Sequence, residues 1–516
     1  MALERIEVKN PMGIVTDTPS GDLPLEVWSD ANNVSFKNGI CSKSLGIIPV
    51  FGDPRVGSPI IGVQPYLSGS TPYWILGSSS GLFRTAGGFQ VSVSRPGAPY
   101  NASESNPWVG GVLHDVIIMN NGVDIPQAMA PQVSTFVDLP NWPANTTAKI
   151  VRPFKNYLVA LNVTRNSVDF PTMVKWSSPA DPGQVPFTWD PTNPTNDAGE
   201  VSLGDTPGKI VDGIKLRDSF IVYKDDSVYS MRYIGGIFIF SFQKLFNDVG
   251  ILSKNCAVEF DGNHFVVGHG DVYVHNGVQK RSVIDGAMRD FLYADINAEH
   301  YDRAFVVPDH IKTEMWLCYP NSDSPNGYCN RVLVWNWSNG KWSKRDLPMV
   351  FCGSYGILDP QINDEWEFDN TSWDTDRSTW GSASYNPSKT TLLFSSTSNR
   401  KLYSVADTAL IDDRPFTSYL EKTGVSLGDS RNMKVVSSII PHISGSGLCR
   451  ITIGTSVTQR GPIEWKPPVN YIIGTDYKAD IKAVGRYLSI RFEFPSQGVW
   501  SLNGYTVEMA PTSGMK

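Results

Sequence analysis

His264, His269 and His275 fall close together and are the first residues to test for metal chemistry. A tetrahedral zinc site asks for close ligand pairs, and these three spread over different strand positions. Hydrogen bonding at sheet edges suits them better than ligation. Gly77-Ser-Ser79-Ser-Gly81 matches the Gly-x-Ser-x-Gly pattern of a nucleophile elbow. That elbow needs a strand, a sharp turn and then a helix. Here Leu82-Phe-Arg84 reads as a second strand, so a hairpin turn is expected. Trp337-Ser-Asn-Gly-Lys-Trp342 approaches the Ser-x-Asp-x-Gly-x-x-Trp turns of some glycosidases but lacks the aspartate. Paired carboxylates for glycoside hydrolysis leave no local signal, since their pairing is spatial. No catalytic, cofactor-binding or metal-ligating residue is assigned, and the chain reads as a protein without enzyme activity.

The stretch 361–388, QINDEWEFDNTSWDTDRSTWGSASYNPS, has the strongest local pattern. Trp366, Trp373 and Trp380 recur every seven residues, with Asp369, Asp374 and Asp376 between them. One apolar position per heptad does not make a coiled coil. An extended loop with aromatic anchors and acidic tips is expected. Such a loop docks on its own chain or a neighbour, on a different protein, or on sugar or Ca²⁺. These six residues are the candidate partner-docking loop.

The elements around these residues are short strands. Within 255–284, Ala257 to Phe260, His264 to Gly268, Val272 to His275 and Val278 to Val283 alternate or run apolar. Asp261-Gly-Asn263, Gly270-Asp271 and Asn276-Gly277 separate them, residues that tolerate the positive φ of a tight hairpin. One such four-stranded sheet leaves an apolar face bare. Copies arranged around an axis cover it, which is a β-propeller. Further units read at about 58–95, 107–139, 149–189, 209–246 and 303–347, and a split seventh begins at Phe351. The Pro-rich run from Asp181 to Gly208 reads as a surface loop, and 285–300 as a short helix. After about 410 the strands lengthen. In Tyr487 to Phe494 the alternation is strict, with Leu488, Ile490, Phe492 and Phe494 on one face. That is a half-buried antiparallel strand.

The expected fold class is all-β. A propeller of about seven blades spans 58–409, including the insertion at 361–388. An N-terminal β segment spans 1–57, and an antiparallel β-sandwich spans 410–516. Composition agrees: charged residues are only 18%, while Gly (45) and Pro (36) are abundant, which favours strands and turns over long helices. The net charge of −7 disfavours a general basic surface for phosphate. The start of the chain lacks a signal-peptide core, and no apolar run reaches the ~20 residues of a membrane span. The scattered cysteines 41, 256, 318, 329, 352 and 449 read as buried free thiols of a reducing cytoplasm.

Three places then carry a likeness. Gly13-Ile-Val-Thr-Asp-Thr-Pro19 runs on to Trp28-Ser-Asp-Ala-Asn-Asn-Val-Ser-Phe-Lys-Asn-Gly39 and Ser44-Leu-Gly46. Trp373-Asp-Thr-Asp376 leads to Trp380. Val484-Gly-Arg-Tyr-Leu-Ser-Ile-Arg-Phe492 is followed by Trp500-Ser-Leu-Asn-Gly-Tyr-Thr-Val-Glu508. In these motifs and their order the chain resembles the tail nozzle, or tail tubular (tail-stabilisation), proteins of short-tailed bacteriophages. It departs at Lys43-Ser-Leu-Gly46, where the family form is Lys-Arg-x-Gly. The resemblance implies a virion tail protein assembled in the host cytoplasm, forming a homohexameric ring below the head-to-tail adaptor protein. It implies further partners: tail fibre or spike proteins, and viral DNA that passes through the channel without specific binding. It implies no cofactor and no membrane insertion. The competing expectation is a carbohydrate-binding or depolymerising propeller that acts as a receptor-binding spike. A monomeric scaffold propeller is the third.

Overall fold

The computed structural model describes residues 4–511 apart from 52–56, 70, 87–88, 98, 132, 237, 359–389, 429 and 496. The described residues are almost all β, with one short α-helix, Arg289–Asp295.

Six blades are local in sequence. Each is a sheet of four consecutive antiparallel strands, within 60–92, 109–138, 146–202, 210–247, 257–282 and 305–350. Blade five shows why the sequence folds this way. Phe260 pairs with Asn263, so only two residues turn the chain. Those residues, Asp261 (φ 44°) and Gly262 (φ 70°), both take the left-handed conformation that matches the twist of a tight hairpin. The strands Asn263–Val267 and Val272–His275 then bury nearly every side chain between neighbouring blades.

Blade seven is not local. Cys352–Ile357, Thr390–Ser395 and Leu402–Ala406 form its first three strands. The fourth is Gly46–Val50, from near the start of the chain, with Leu402 opposite Val50 and Ala406 opposite Gly46. The ring is therefore closed by strands from two ends of the sequence. Ile411 adds a parallel bridge to Ile47 on the outer side.

The second body is a sandwich of two six-stranded sheets. One holds Val34–Lys37, Ile40–Lys43, Trp500–Pro511, Lys434–Gly445 and Ala479–Gly485, with Glu4–Lys9 also paired to Trp500–Pro511. The other holds Asp30–Asn32, Ser418–Val425, Tyr487–Phe494, Leu448–Ser456 and Glu464–Trp465, with Val469–Ile472 paired to Leu448–Ser456. Leu488, Ile490, Phe492 and Phe494 are all buried, as the alternation requires.

Three expectations change in detail. The stretch 1–57 is not a separate segment: its strands divide between the sandwich and blade seven. A sheet edge left unpaired is a liability, and these strands fill edges that the later chain leaves open. Within the Pro-rich run, Gly199–Ser202 is the fourth strand of blade three, paired with Met173 to Trp176. Blade two gains a three-residue strand, Gln127–Met129, which is too short to read as alternation.

Candidate functional site

The inner strands of all seven blades line an axial cavity of about 480 Å³. Arg152 of blade three lines it. Its guanidinium meets Asp212 of blade four through Nε–Oδ1 at 3.1 Å and Nη2–Oδ2 at 3.0 Å. It also donates to the Gly110 carbonyl at 3.0 Å and to Asn255 Oδ1 at 2.9 Å. Asp212 is fully buried and accepts further from the amides of Gly213 and Asn255. Blades two to five are thus tied by one charge network whose members satisfy each other. A buried pair gains only when its remaining donors and acceptors are also met, and here they are. Among the residues lining the cavity, Glu259 carries the single carboxylate.

Inner strands all begin on one face of the ring. On that face Glu104, just before blade two, reaches blade six. It pairs with Arg303 at 3.0 Å and accepts from the Tyr328 hydroxyl at 2.8 Å. The link ties the approach to blade two to residues of blade six.

His264 and His275 do come together, around Tyr223 of the neighbouring blade. The Tyr223 hydroxyl lies 2.7 Å from His264 Nδ1 and 2.6 Å from His275 Nε2. Gly277 N–H donates to His275 Nδ1 at 3.2 Å, which leaves His275 Nε2–H to donate to Tyr223. Tyr223 then donates to His264 Nδ1, and His264 Nε2–H donates to the Lys215 carbonyl at 2.8 Å. Every step has one donor and one acceptor with both rings neutral. Burial lowers the His264 pKa to about 4 and that of His275 to about 3. His269 lies apart, with its ring 6.0 Å from Tyr301. Among the described residues no cluster of three His, Cys, Asp or Glu side chains could hold a metal.

Ser79 sits in the hairpin between Thr71–Ser78 and Leu82–Ala86, and no helix follows it. The Ser78 hydroxyl holds that turn by accepting from Gly81 N–H at 3.0 Å. Trp337 to Trp342 form the last hairpin of blade six, and Asn339 donates to the Phe36 carbonyl of the sandwich. All six cysteines are free, and all but half-buried Cys352 are buried. Trp366, Asp369, Trp373, Asp374, Asp376 and Trp380 lie outside the described residues. The described flanks do pair, Ile357 with Thr390, so the stretch between them is inserted between the first two strands of blade seven.

A set of contacts between residues distant in sequence joins the sandwich to blade six. Asn33 exchanges bonds with Asp346: Nδ2 to the carboxylate at 2.8 Å, and Asp346 N–H to Asn33 Oδ1 at 2.9 Å. Asn33 N–H also donates to the Lys344 carbonyl. Lys344, almost buried, pairs with Asp30 at 2.8 Å. Ile14 N–H donates to the Trp342 carbonyl. Asp17 Oδ2 accepts from the backbone amides of Arg289 and Asp290 at 2.6 and 3.2 Å, capping the helix from outside it. Inside the sandwich, Trp28 packs on Phe492 (6.1 Å, edge-on) and Tyr505 (6.0 Å). Such aromatic pairs add about 0.5–1.5 kcal/mol beyond the area they bury. None of these partners is close in sequence, so no motif pairs Arg152 with Asp212 or Asn33 with Asp346.

No family model matches the sequence, and no curated protein sequence matches it. Solved structures with some likeness include the AfRom2 CNH domain (10% identity, TM-score 0.35, covering 69% of this chain and 98% of that one). The N-terminal domain of Nup159 is similar at 11% identity and TM-score 0.35, over 73% of this chain and 98% of its own. The WD40 domain of Neurospora crassa Pan2 follows at 7% and 0.37, over 70% and 95%. Likeness at this level carries no argument about function, and the propeller rests on the strand pairing itself.

Proposed function

We propose that this chain is a structural subunit of a short bacteriophage tail. In this reading six copies form a nozzle ring below the head-to-tail adaptor, extend the channel for DNA, and seat fibres or spikes outside. One observation carries it. The opening motif (Gly13 to Gly39) and the closing motifs (Val484 to Phe492, Trp500 to Glu508) resemble that family, and they meet in one sandwich locked onto blade six.

Two physical points support it. An axial cavity of about 480 Å³ suits a small molecule, so a DNA conduit has to form between copies and not through one propeller. A ring of six would also gather about −42 formal charges, a field that keeps a phosphate backbone from sticking.

Mass photometry and negative-stain imaging of the protein, alone and with its virion's tail adaptor, test the proposal. The expected result is a closed ring of about six copies, formed alone or on the adaptor. A monomer or trimer indifferent to the adaptor overturns it.

A further inference from the structure

The axial cavity, about 480 Å³, falls inside the range of about 300–1,000 Å³ typical of small-molecule sites. Part of its wall is aliphatic, with Ile214, Val258 and Pro308. Among its polar residues are Gln64, Lys215, Glu259, His310 and Ser354. They come from blades one, four, five, six and seven, so they surround the axis. Lys215 and Glu259 are next to last in Ile210–Leu216 and Ala257–Phe260, and His310 directly follows Phe305–Asp309. Because the inner strands all begin on one face, these three share the mouth at the other.

The groups are reachable and uncommitted. Among the described residues the Glu259 carboxylate, the Lys215 ammonium, the Ser354 hydroxyl and Gln64 Oε1 have no protein partner, and none of these atoms is sealed from solvent. The His310 ring is held edge-on by Tyr355 at 5.3 Å and Trp337 at 6.0 Å.

Charge then selects the ligand class. Arg152, also on the wall, is already neutralised by Asp212. What remains is one ammonium, Lys215, and one carboxylate, Glu259, on adjacent blades. An ion of either sign would meet one like charge. A neutral ligand with hydroxyls uses both groups, since a hydroxyl donates to a carboxylate and accepts from an ammonium. A sugar ring carries hydroxyls around its edge and C–H groups on its faces, which matches a polar circle set in an aliphatic wall.

We propose that the axial cavity binds a neutral sugar of one or two rings. Glu259 and Lys215 grip adjacent hydroxyls, and Gln64, His310 and Ser354 take others. The whole site lies within one copy, so it stands or falls separately from the six-copy ring.

Saturation-transfer difference NMR on the full chain, with glucose, galactose, mannose and N-acetylglucosamine in turn, tests this, and titration calorimetry gives the affinity. At least one sugar should bind saturably, one per chain, at about 1 mM, the level for a ligand of roughly a dozen heavy atoms at ordinary efficiency. Glu259→Gln keeps the shape of a side chain that bonds nothing in the protein. It should weaken binding about tenfold, the scale of a hydrogen bond to a charged group. Lys215→Met should do the same, and free glycine, a zwitterion, should not compete. Failure of all four sugars overturns the proposal. Equal affinity in the parent and both variants also overturns it, because the sugar then sits elsewhere. Competition by glycine overturns it too, because the walls then read charge.

Discussion

Blade five and the sandwich are both antiparallel sheets, yet they are assembled from opposite kinds of contact. Blade five is complete within 257–282, one hairpin after another. The sandwich strand Trp500–Pro511 pairs with Glu4–Lys9, Ile40–Lys43 and Lys434–Gly445, two of which lie at the far end of the chain. The difference separates two tasks. Blades obtain a hydrophobic face cheaply, because short loops cost little closure entropy. The sandwich and blade seven bring the chain's two ends together, and in doing so make one body of two. The opening residues are thus shared property: Trp28 serves the sandwich core, Ile47 closes the ring, and Asp17 caps the helix between blades five and six.

If that division is right, damage to the opening stretch should spread, while damage within a blade should stay local. Trp28→Ala should have the largest effect, about 3–5 kcal/mol, the usual cost of emptying a buried tryptophan site. Chemical denaturation with hydrogen exchange should show lost protection in the sandwich and also at blade six. Protection lost only in the sandwich would break the comparison. Ile47→Ala, in the closing strand, should cost about 2–5 kcal/mol. Its signature is faster exchange across Leu402–Ala406 on blade seven, with blade five unchanged. Asp17→Ala should cost about 1 kcal/mol, the scale of a lost helix cap, read as a small drop in the denaturant midpoint.

The smallest effect at neutral pH belongs to the buried His264–Tyr223–His275 chain, and it sharpens the local side of the contrast. Both folded pKa values lie below the usual 6.5 of a histidine. The unfolded chain therefore binds protons first as pH falls. The stability these groups contribute is complete above about pH 6.5 and declines from there toward about 3, the lower of the two folded values. His275→Gln should flatten that decline in urea midpoints taken across the range. An unchanged slope would assign the acid sensitivity elsewhere.

The same contrast explains what could be read in advance. Blade five was legible because Asp261-Gly262 and Asn276-Gly277 announce hairpins, and the apolar residues between them alternate. The sandwich strand Tyr487–Phe494 was legible from its period of two. The partner of Gly46–Val50 was not, because Ile47-Ile-Pro-Val50 carries no mark of the strand it will meet. Gly199–Ser202 hid behind a run of prolines. The charge network at Arg152 and the bonds between Asn33 and Asp346 were invisible for the same reason: each joins residues dozens to hundreds of positions apart. His264 and His275 were legible as hydrogen-bonding groups, but nothing local named Tyr223 as the group between them.

The closing strand of blade seven also has a history in time. Gly46–Val50 emerges from the ribosome about 350 residues before its partner Leu402–Ala406. At roughly 5–20 residues per second, it waits on the order of 20–70 s with its pairing groups unmet. For that interval the nascent chain carries an unsealed sheet edge next to completed blades. Its choice of partner is then a race between its own distant segment and any equivalent strand on a neighbouring polypeptide.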